Sequence, residues 1–209
     1  MSATKIQNEN AFETIDNHNA AYWLGFLMAD GSVSKSRNRI SIRLAEKDRH
    51  HLESLHKFLK YNKKVYRINN KIKNGIYVCC STNIDSGKIK QDLINLGCVP
   101  NKTKIIRFPE IDSEFHFSFL RGYFDGDGYI GRNSVNKQLR IEFVGTESMM
   151  TSIQKLLQVK PQPKYKKSKD IYRLVICGNK QCMRIADQLY QDGDFYLERK
   201  KRVFYNAVT

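Results

Sequence analysis

Residues 23–31 read WLGFLMADG, and a related stretch, FLRGYFDGDG, occupies residues 119–128; this internal repeat constrains the fold more than any other feature of the chain. Superposed, Gly25 falls on Gly122, Ala29 on Gly126, Asp30 on Asp127 and Gly31 on Gly128. In each copy the small residues stand four apart, so a helix gathers them into one nearly bare stripe. Two such stripes allow two helix backbones to approach closely. Gly25, Ala29, Gly122 and Gly126 are therefore the expected helix interface, and each helix is expected to end at its Asp-Gly with the glycine as a C-terminal stop.

The segments that follow the two copies repeat as well. Asn17 or Asn19 is placed to cap the first helix. Residues 39–44 alternate, with Ile40, Ile42 and Leu44 on one face and Arg39, Ser41 and Arg43 on the other. A helix opening at Asp48, a hairpin of residues 65–68 and 76–80 around a turn-rich NNKIKNG, and a helix over about 86–96 complete the unit. After the second copy, Tyr129 and Ile130, the alternating residues 139–144, a helix around 147–158, the basic KYKKSK, the strand 171–177 and a helix to about Tyr190 give the same order. The expected fold class is α+β: two pseudo-twofold related α-β-β-α-β-β-α repeats with the motif helices packed at the centre and two antiparallel sheets. Residues 1–99 form the first repeat with a polar leader over 1–17, residues 100–112 the linker, and residues 113–209 the second repeat.

Charge narrows the partner. Lys and Arg number 36 against 21 Asp and Glu, a net charge of +15, which favours a polyanion, nucleic acid foremost, over an acidic small molecule. The excess is +9 up to Glu110 and +6 beyond it, so both halves carry it and no basic tail explains it. Five cysteines without a CxxC predict reduced, packed thiols rather than a disulfide framework or a zinc site. His50, His51 and His56 are read as a solvated helix face. No stretch approaches the ~20 apolar residues of a membrane span, and the N-terminus has no apolar signal core. An intracellular protein follows, in a bacterial or phage-encoded setting or an organelle. Met1 before a polar leader, and an end reading FYNAVT, set the chain against an intein-embedded form.

Two carboxylates at the C-terminal ends of touching helices are unfavourable alone, because each meets a negative dipole end and its twin. A divalent cation answers this: an oxygen-only donor set with few protein ligands suits Mg²⁺, or a similar ion such as Mn²⁺, and metal-assisted phosphodiester hydrolysis is the matching chemistry. A calcium loop starting at Asp125 does not fit, since its fifth position is Tyr129 and its sixth Ile130.

The pair WLGFLMADG and FLRGYFDGDG resembles the paired motif of the LAGLIDADG homing endonucleases in their monomeric two-motif form. The resemblance implies a site-specific endonuclease that cuts both strands of a long asymmetric duplex DNA, with metal held by Asp30 and Asp127 together with the backbone of Ala29 and Gly126. It also implies a lysine near each acid, in stretches that here read LGCVPNKT and FYLERKK, which makes Lys102 and Lys200 the catalytic candidates; they stand 72 and 73 residues after their acids. Lys201 is an adjacent competitor. Glu46 and Thr146 fall where such proteins place polar residues near the water network. Met28 departs from the pattern, since the second motif has Asp125 there.

Two sheets laid along DNA read base edges with alternate side chains. Arg37, Arg39, Ser41, Arg43, Tyr66, Arg67, Tyr77, Arg132, Gln138, Arg140, Lys164, Lys166 and Arg173 are the candidates for that interface. The rival reading is a non-cleaving nucleic-acid binder of the same fold, an intron RNA maturase acting on its own intron or a transcription regulator. Two retained acids beside an anion favour cleavage.

Overall fold

The computed structural model describes residues 5–72, 75–134, 136–160, 165–168 and 170–205. The first repeat runs α1 (His18–Asp30), β1 (Ser32–Val33), β2 (Arg39–Ala45), α2 (Arg49–Phe58), β3 (Tyr66–Ile72), β4 (Gly75–Asp85) and α3 (Gly87–Asn95). The second runs α4 (His116–Asp127), β5 (Tyr129–Arg132), β6 (Leu139–Gly145), α5 (Glu147–Leu156), β7 (Tyr165–Ser168), β8 (Ile171–Cys177) and α6 (Asn179–Tyr190), followed by α7 (Glu198–Tyr205). Each repeat holds one antiparallel four-stranded sheet, ordered β1-β2-β4-β3 and β5-β6-β8-β7. The expected α+β fold of two related repeats is the fold observed.

Local chemistry explains the element starts. The Asn17 side chain accepts from the Ala20 amide at 2.8 Å, while Ser86 and Thr146 cap α3 and α5 in the same way. On β2 the alternation holds, Ile40 and Ile42 buried and Arg39, Ser41 and Arg43 turned outward. Leu139, Ile141 and Phe143 do the same for β6.

Both motif helices are buried all round, over Ala20 to Met28 in α1 and Ser118 to Asp125 in α4, because they lie against each other inside the molecule. Their contact is backbone on backbone. A Cβ on Gly25 would strike the Phe119 carbonyl oxygen and stand 2.8 Å from the Tyr123 nitrogen; one on Gly122 would strike the Tyr22 carbonyl oxygen and stand 2.9 Å from the Phe26 nitrogen. Gly126 sits against the Ala29 methyl in the next turn. The reciprocity is that of a twofold axis passing between the two glycines.

Both motif helices end at their Asp-Gly as expected, with Gly31 and Gly128 as the caps, in extended backbone at φ −72° and −77°. Glycine is required there because a Cβ would lie 2.5 Å from the carbonyl oxygen of Leu27 or Phe124 in the last turn. Three local expectations need correction. The turn-rich NNKIKNG is largely strand, since β3 continues to Ile72 and β4 begins at Gly75. His51 and His56 are buried rather than solvated; His51 Nε2 lies 2.9 Å from the Tyr22 hydroxyl, and His56 Nε2 lies 2.7 Å from the Thr82 hydroxyl. Burial brings His51 down to about 3, so it is neutral at physiological pH. Finally, α7 was not anticipated. The cysteines are free, four of them buried and Cys177 exposed. No helix among the described residues is long and apolar enough to cross a membrane.

The glycine contact generates a first expectation. Gly122→Ala forces a methyl group into the backbone of α1 and should lower stability by about 2–3 kcal/mol or more, the upper range for overpacking. Chemical denaturation measures it, and a midpoint equal to wild type would show that the helices are not in backbone contact.

Candidate active site

Because the glycine stripes hold α1 and α4 together, the last turns of both helices emerge side by side and carry Asp30 and Asp127 to one place. Asp30 is half-buried and Asp127 exposed. The Cβ position at Gly126 is 3.5 Å from the Asp30 carboxyl carbon, so Asp30 borders the other helix. Burial, and then the Asp127 charge, push the Asp30 carboxyl up to about 6, against the pull of Lys200, Lys102 and Arg199.

Lys102 and Lys200 take up equivalent positions. Lys102, in a 3-10 turn (Lys102–Lys104), donates to the Gly31 carbonyl. Lys200, buried on α7, donates to the carbonyls of Phe124 at 2.6 Å, Asp125 at 2.9 Å and Gly128 at 2.6 Å. Gly31 and Gly128 superpose in the repeat, so the two lysines hold the same carbonyl on either side of the axis. These are among the carbonyls a helix end leaves without partners, and a cation there also meets the negative end of the dipole. Burial brings Lys200 down to about 8, although Asp125, Asp30 and Asp127 favour its charge. Lys201 turns away, its ammonium 3.8 Å from the centre of the Tyr196 ring.

The halves differ beside the acids. Asp125 is buried and accepts from the Tyr22 hydroxyl at 2.9 Å and the Leu197 amide at 2.7 Å, while Met28 at the equivalent place is buried and apolar. Burial pushes Asp125 up to about 6. Arg199, next to Lys200, pairs with buried Asp48 of the first repeat at 3.0 Å. Asp125 and Arg199 thus tie the segment that carries Lys200 to both motif helices and to the opposite repeat. Glu46 pairs with Arg49 at 2.8 Å, and the Thr146 hydroxyl donates to the Ile106 carbonyl at 2.5 Å while capping α5.

A cavity of about 310 Å³ opens at the helix ends, with Ala29, Lys102, Tyr123 and Asp127 among its lining residues. Among the described residues no cluster of three or more His, Cys, Asp or Glu is assembled. The donors at the helix ends are instead two carboxylates and the last-turn carbonyls, including those of Ala29 and Gly126. Such an all-oxygen set fits a hard divalent ion and leaves most of its shell to water or phosphate. Lys200 stands at 3.4 Å from the Gly126 carbonyl, a loose contact that leaves this oxygen only weakly engaged.

Register sorts the sheet residues into faces, since directly paired residues point the same way. In the first sheet Arg39 pairs with Asp85, Ser41 with Asn83, and Arg43 with Ser81, which also pairs with Tyr66. These form the outer face, to which Tyr77, paired with Asn70, also belongs. Tyr66 and Tyr77 are 50% and 49% exposed. Arg67 is not brought to this face: it pairs with Cys80, which pairs with Leu44, on the side backed by helices. Arg37 is exposed in the β1–β2 loop.

In the second sheet Arg140 and Arg173 lie on the outer face, both ion-paired to Glu142, at 2.7 Å and 3.1 Å. Arg132 pairs with Leu139, on the opposite parity, yet lines the same outer cleft as Asp127, Tyr129 and Arg140. Gln138 is exposed just before β6. Lys166 pairs with Tyr172 rather than Arg173, and Lys164 lies outside the described residues. Sequence reasoning did not name Asp85, Asn83 or Glu142 as interface residues, although the alternation of residues 139–144 already puts Glu142 on the face of Arg140; the three complete the two faces.

The same architecture is found in proteins of known structure. The I-LtrWI LAGLIDADG homing endonuclease bound to target DNA superposes with a TM-score of 0.57 at 11% identity, over 96% of this chain and 89% of that one. The N-terminal LAGLIDADG domain of DUF199/WhiA superposes with a TM-score of 0.53 at 17% identity, over 95% and 94%. At such identities the likeness is one of fold. In sequence, 99% of the chain aligns at 26% identity with the DNA-directed RNA polymerase subunit Rpo1C of Methanocaldococcus jannaschii, of whose length it spans 23%. The family model of the LAGLIDADG-like domain matches residues 17–95 and again residues 114–190. With more than half of its residues inside that double match, the chain belongs to the LAGLIDADG-like domain family.

Proposed function

We propose that the protein is a site-specific homing endonuclease that hydrolyses both strands of a long, asymmetric duplex DNA, acting as a monomer. The observation that carries this reading is the coupling of Asp30 to Asp127: two acids from two helices share one charged neighbourhood at the bottom of a basic molecule. Double-stranded DNA is a fitting partner for outer sheet faces lined by Arg39, Arg43, Arg140 and Arg173, and the related I-LtrWI endonuclease is bound to target DNA.

Asp30, Asp127 and the backbone carbonyls of Ala29 and Gly126 would hold Mg²⁺ or Mn²⁺. Such an ion, when bound, lowers the pKa of a water and stabilises the leaving oxygen of a scissile phosphate. The protein's own contribution is positional. Lys102 and Lys200 fix the helix ends through the Gly31 and Gly128 carbonyls and bring positive charge beside the place where a phosphate accumulates negative charge. Asp125 anchors the Lys200 segment through Leu197.

The second reading, a non-cleaving binder of DNA or of its own intron RNA, is favoured by one observation: the fold also occurs as the N-terminal domain of DUF199/WhiA, outside the homing endonucleases. Cleavage of a randomised duplex pool with Mg²⁺ separates the two. Asp30→Asn and Asp127→Asn should each lower double-strand cleavage by roughly 100-fold or more while DNA affinity stays within about threefold, the pattern for loss of a group needed only in the transition state. Wild-type cleavage rates in either variant would remove that acid from the site.

The raised pKa of Asp30 has a consequence for stability that needs no DNA. A carboxyl at about 6 in the folded chain, against 3.8 in its absence, stabilises the fold below pH 3.8 and loses that contribution as pH rises through 6. Metal-free Asp30→Asn should therefore be more stable than wild type by up to about 3 kcal/mol at pH 7.5, with the gain vanishing toward pH 4. Thermal denaturation across pH checks it; a gain independent of pH would mean that Asp30 titrates normally.

A further inference from the structure

The strands following the two acids correspond row by row. Ser32 and Tyr129 each stand two residues after their acid; Ser32 pairs with Ser41 and Ser41 with Asn83, while Tyr129 pairs with Glu142 and Glu142 with Val175. The row nearest the acid is therefore Ser32–Ser41–Asn83 in one half and Tyr129–Glu142–Val175 in the other. Their chemistry differs. In the first, the Ser41 hydroxyl donates to the Asn83 carbonyl oxygen at 2.7 Å, which leaves a neutral amide NH₂ to face outward.

In the second, Glu142 is only 8% exposed, and its two oxygens are both engaged, one by Arg140 Nη2 at 2.7 Å and the other by Arg173 Nε at 3.1 Å. Arg140 and Arg173 lie one row to either side of it. The side chains of both arginines remain about a third exposed, at 33% and 34%. The cleft they border, about 500 Å³, begins at Asp127.

A carboxylate already paired with two guanidiniums and only 8% exposed is poorly placed to read cytosine amino groups itself. It instead fixes two flexible side chains, Arg140 through Nη2 and Arg173 through Nε, and leaves each about a third exposed. Arg140 Nε is buried without a partner, so the carboxylate rather than a full set of bonds sets its orientation. A guanidinium held in this way matches the O6 and N7 acceptors of guanine in the major groove. The trio keeps a net charge of +1, compatible with approach to a phosphate backbone.

We propose that Glu142 is a positioning residue for base specificity: it holds Arg140 and Arg173 as two guanine-reading forks on the second half-site, next to the cut, while Ser41 and Asn83 give the matching row of the first half-site a neutral reader. The inference rests on the DNA-binding reading above and deepens it. It makes the target asymmetric in composition as well as sequence, with guanine contacts concentrated on the side of Asp127.

Selection of bound duplexes from a randomised pool, without divalent metal, tests it with wild type and Glu142→Gln. The wild-type site should carry guanine at two positions on one side of its centre, and replacing either by 7-deazaguanine or adenine should weaken binding roughly tenfold or more. Glu142→Gln should reduce that discrimination to about threefold while affinity for unrelated duplex holds or rises, because a negative charge has been removed. A merely structural role would lower the melting temperature and leave the base preference intact. A pool with no preferred sequence overturns site-specific binding itself. A preferred sequence without those guanines, or one that Glu142→Gln reads as sharply as wild type, overturns this inference alone. Should Glu142→Gln fail to fold, the base replacements on wild type, joined by Arg173→Lys, decide the matter.

Discussion

Everything functional in this molecule depends on two glycines that let helix backbones touch. Gly25 and Gly122 each face a carbonyl oxygen and an amide of the opposite helix at distances that exclude a methyl group. Side-chain packing at the usual 8–10 Å between helix axes would separate the helix ends and their acids. Backbone contact brings those ends together, and the strands that leave them, β1 and β5, then start two sheets related by the same axis.

The cost of this arrangement is electrostatic. Two helix C-termini converge, each with unsatisfied carbonyls and each ending in a carboxylate. The protein answers with cations at equivalent places, Lys102 on the Gly31 carbonyl and Lys200 on that of Gly128, but supports them differently. Lys102 comes from a short turn between the repeats, whereas Lys200 sits on a helix fastened by Leu197 to Asp125 and by Arg199 to Asp48. Burial, and then the Asp127 charge, still push the Asp30 carboxyl up to about 6 despite these cations, and a bound divalent ion would favour its charged form.

Much of this was legible in the sequence, and the failures have physical reasons. The repeat, the small-residue stripes and the alternation of residues 39–44 and 139–144 are local periodicities, and they fixed the central helices and the inner faces of the sheets. The pairing of strands is not local. Whether Arg67 shares the sheet face of Tyr66 or the opposite one depends on its partner Cys80, and Glu142 becomes a link between arginines only once β8 places Arg173 beside it. The segment of α7 reads as a charged run, ERKKRVFY, because its buried face consists of Lys200 and Phe204, and a buried lysine leaves no hydrophobic signal. His51 and His56 were recoverable: with Leu52 and Leu55 they recur at helical spacing on the buried face of α2. Their polarity argued for water, whereas Tyr22 and Thr82 supply the partners that allow burial.

The central claim is that Asp30 and Asp127, contributed by different repeats, form one electrostatic unit. It is tested most directly by titrating the Asp30 carboxyl by carbon-13 NMR in metal-free wild type and in Asp127→Asn. In wild type the titration should centre at about 6, and in the variant it should move down as the neighbouring charge is lost while staying above the ordinary aspartate range, because burial, the larger cause, remains. An identical midpoint in both proteins would contradict the account, since the two acids would then occupy separate sites.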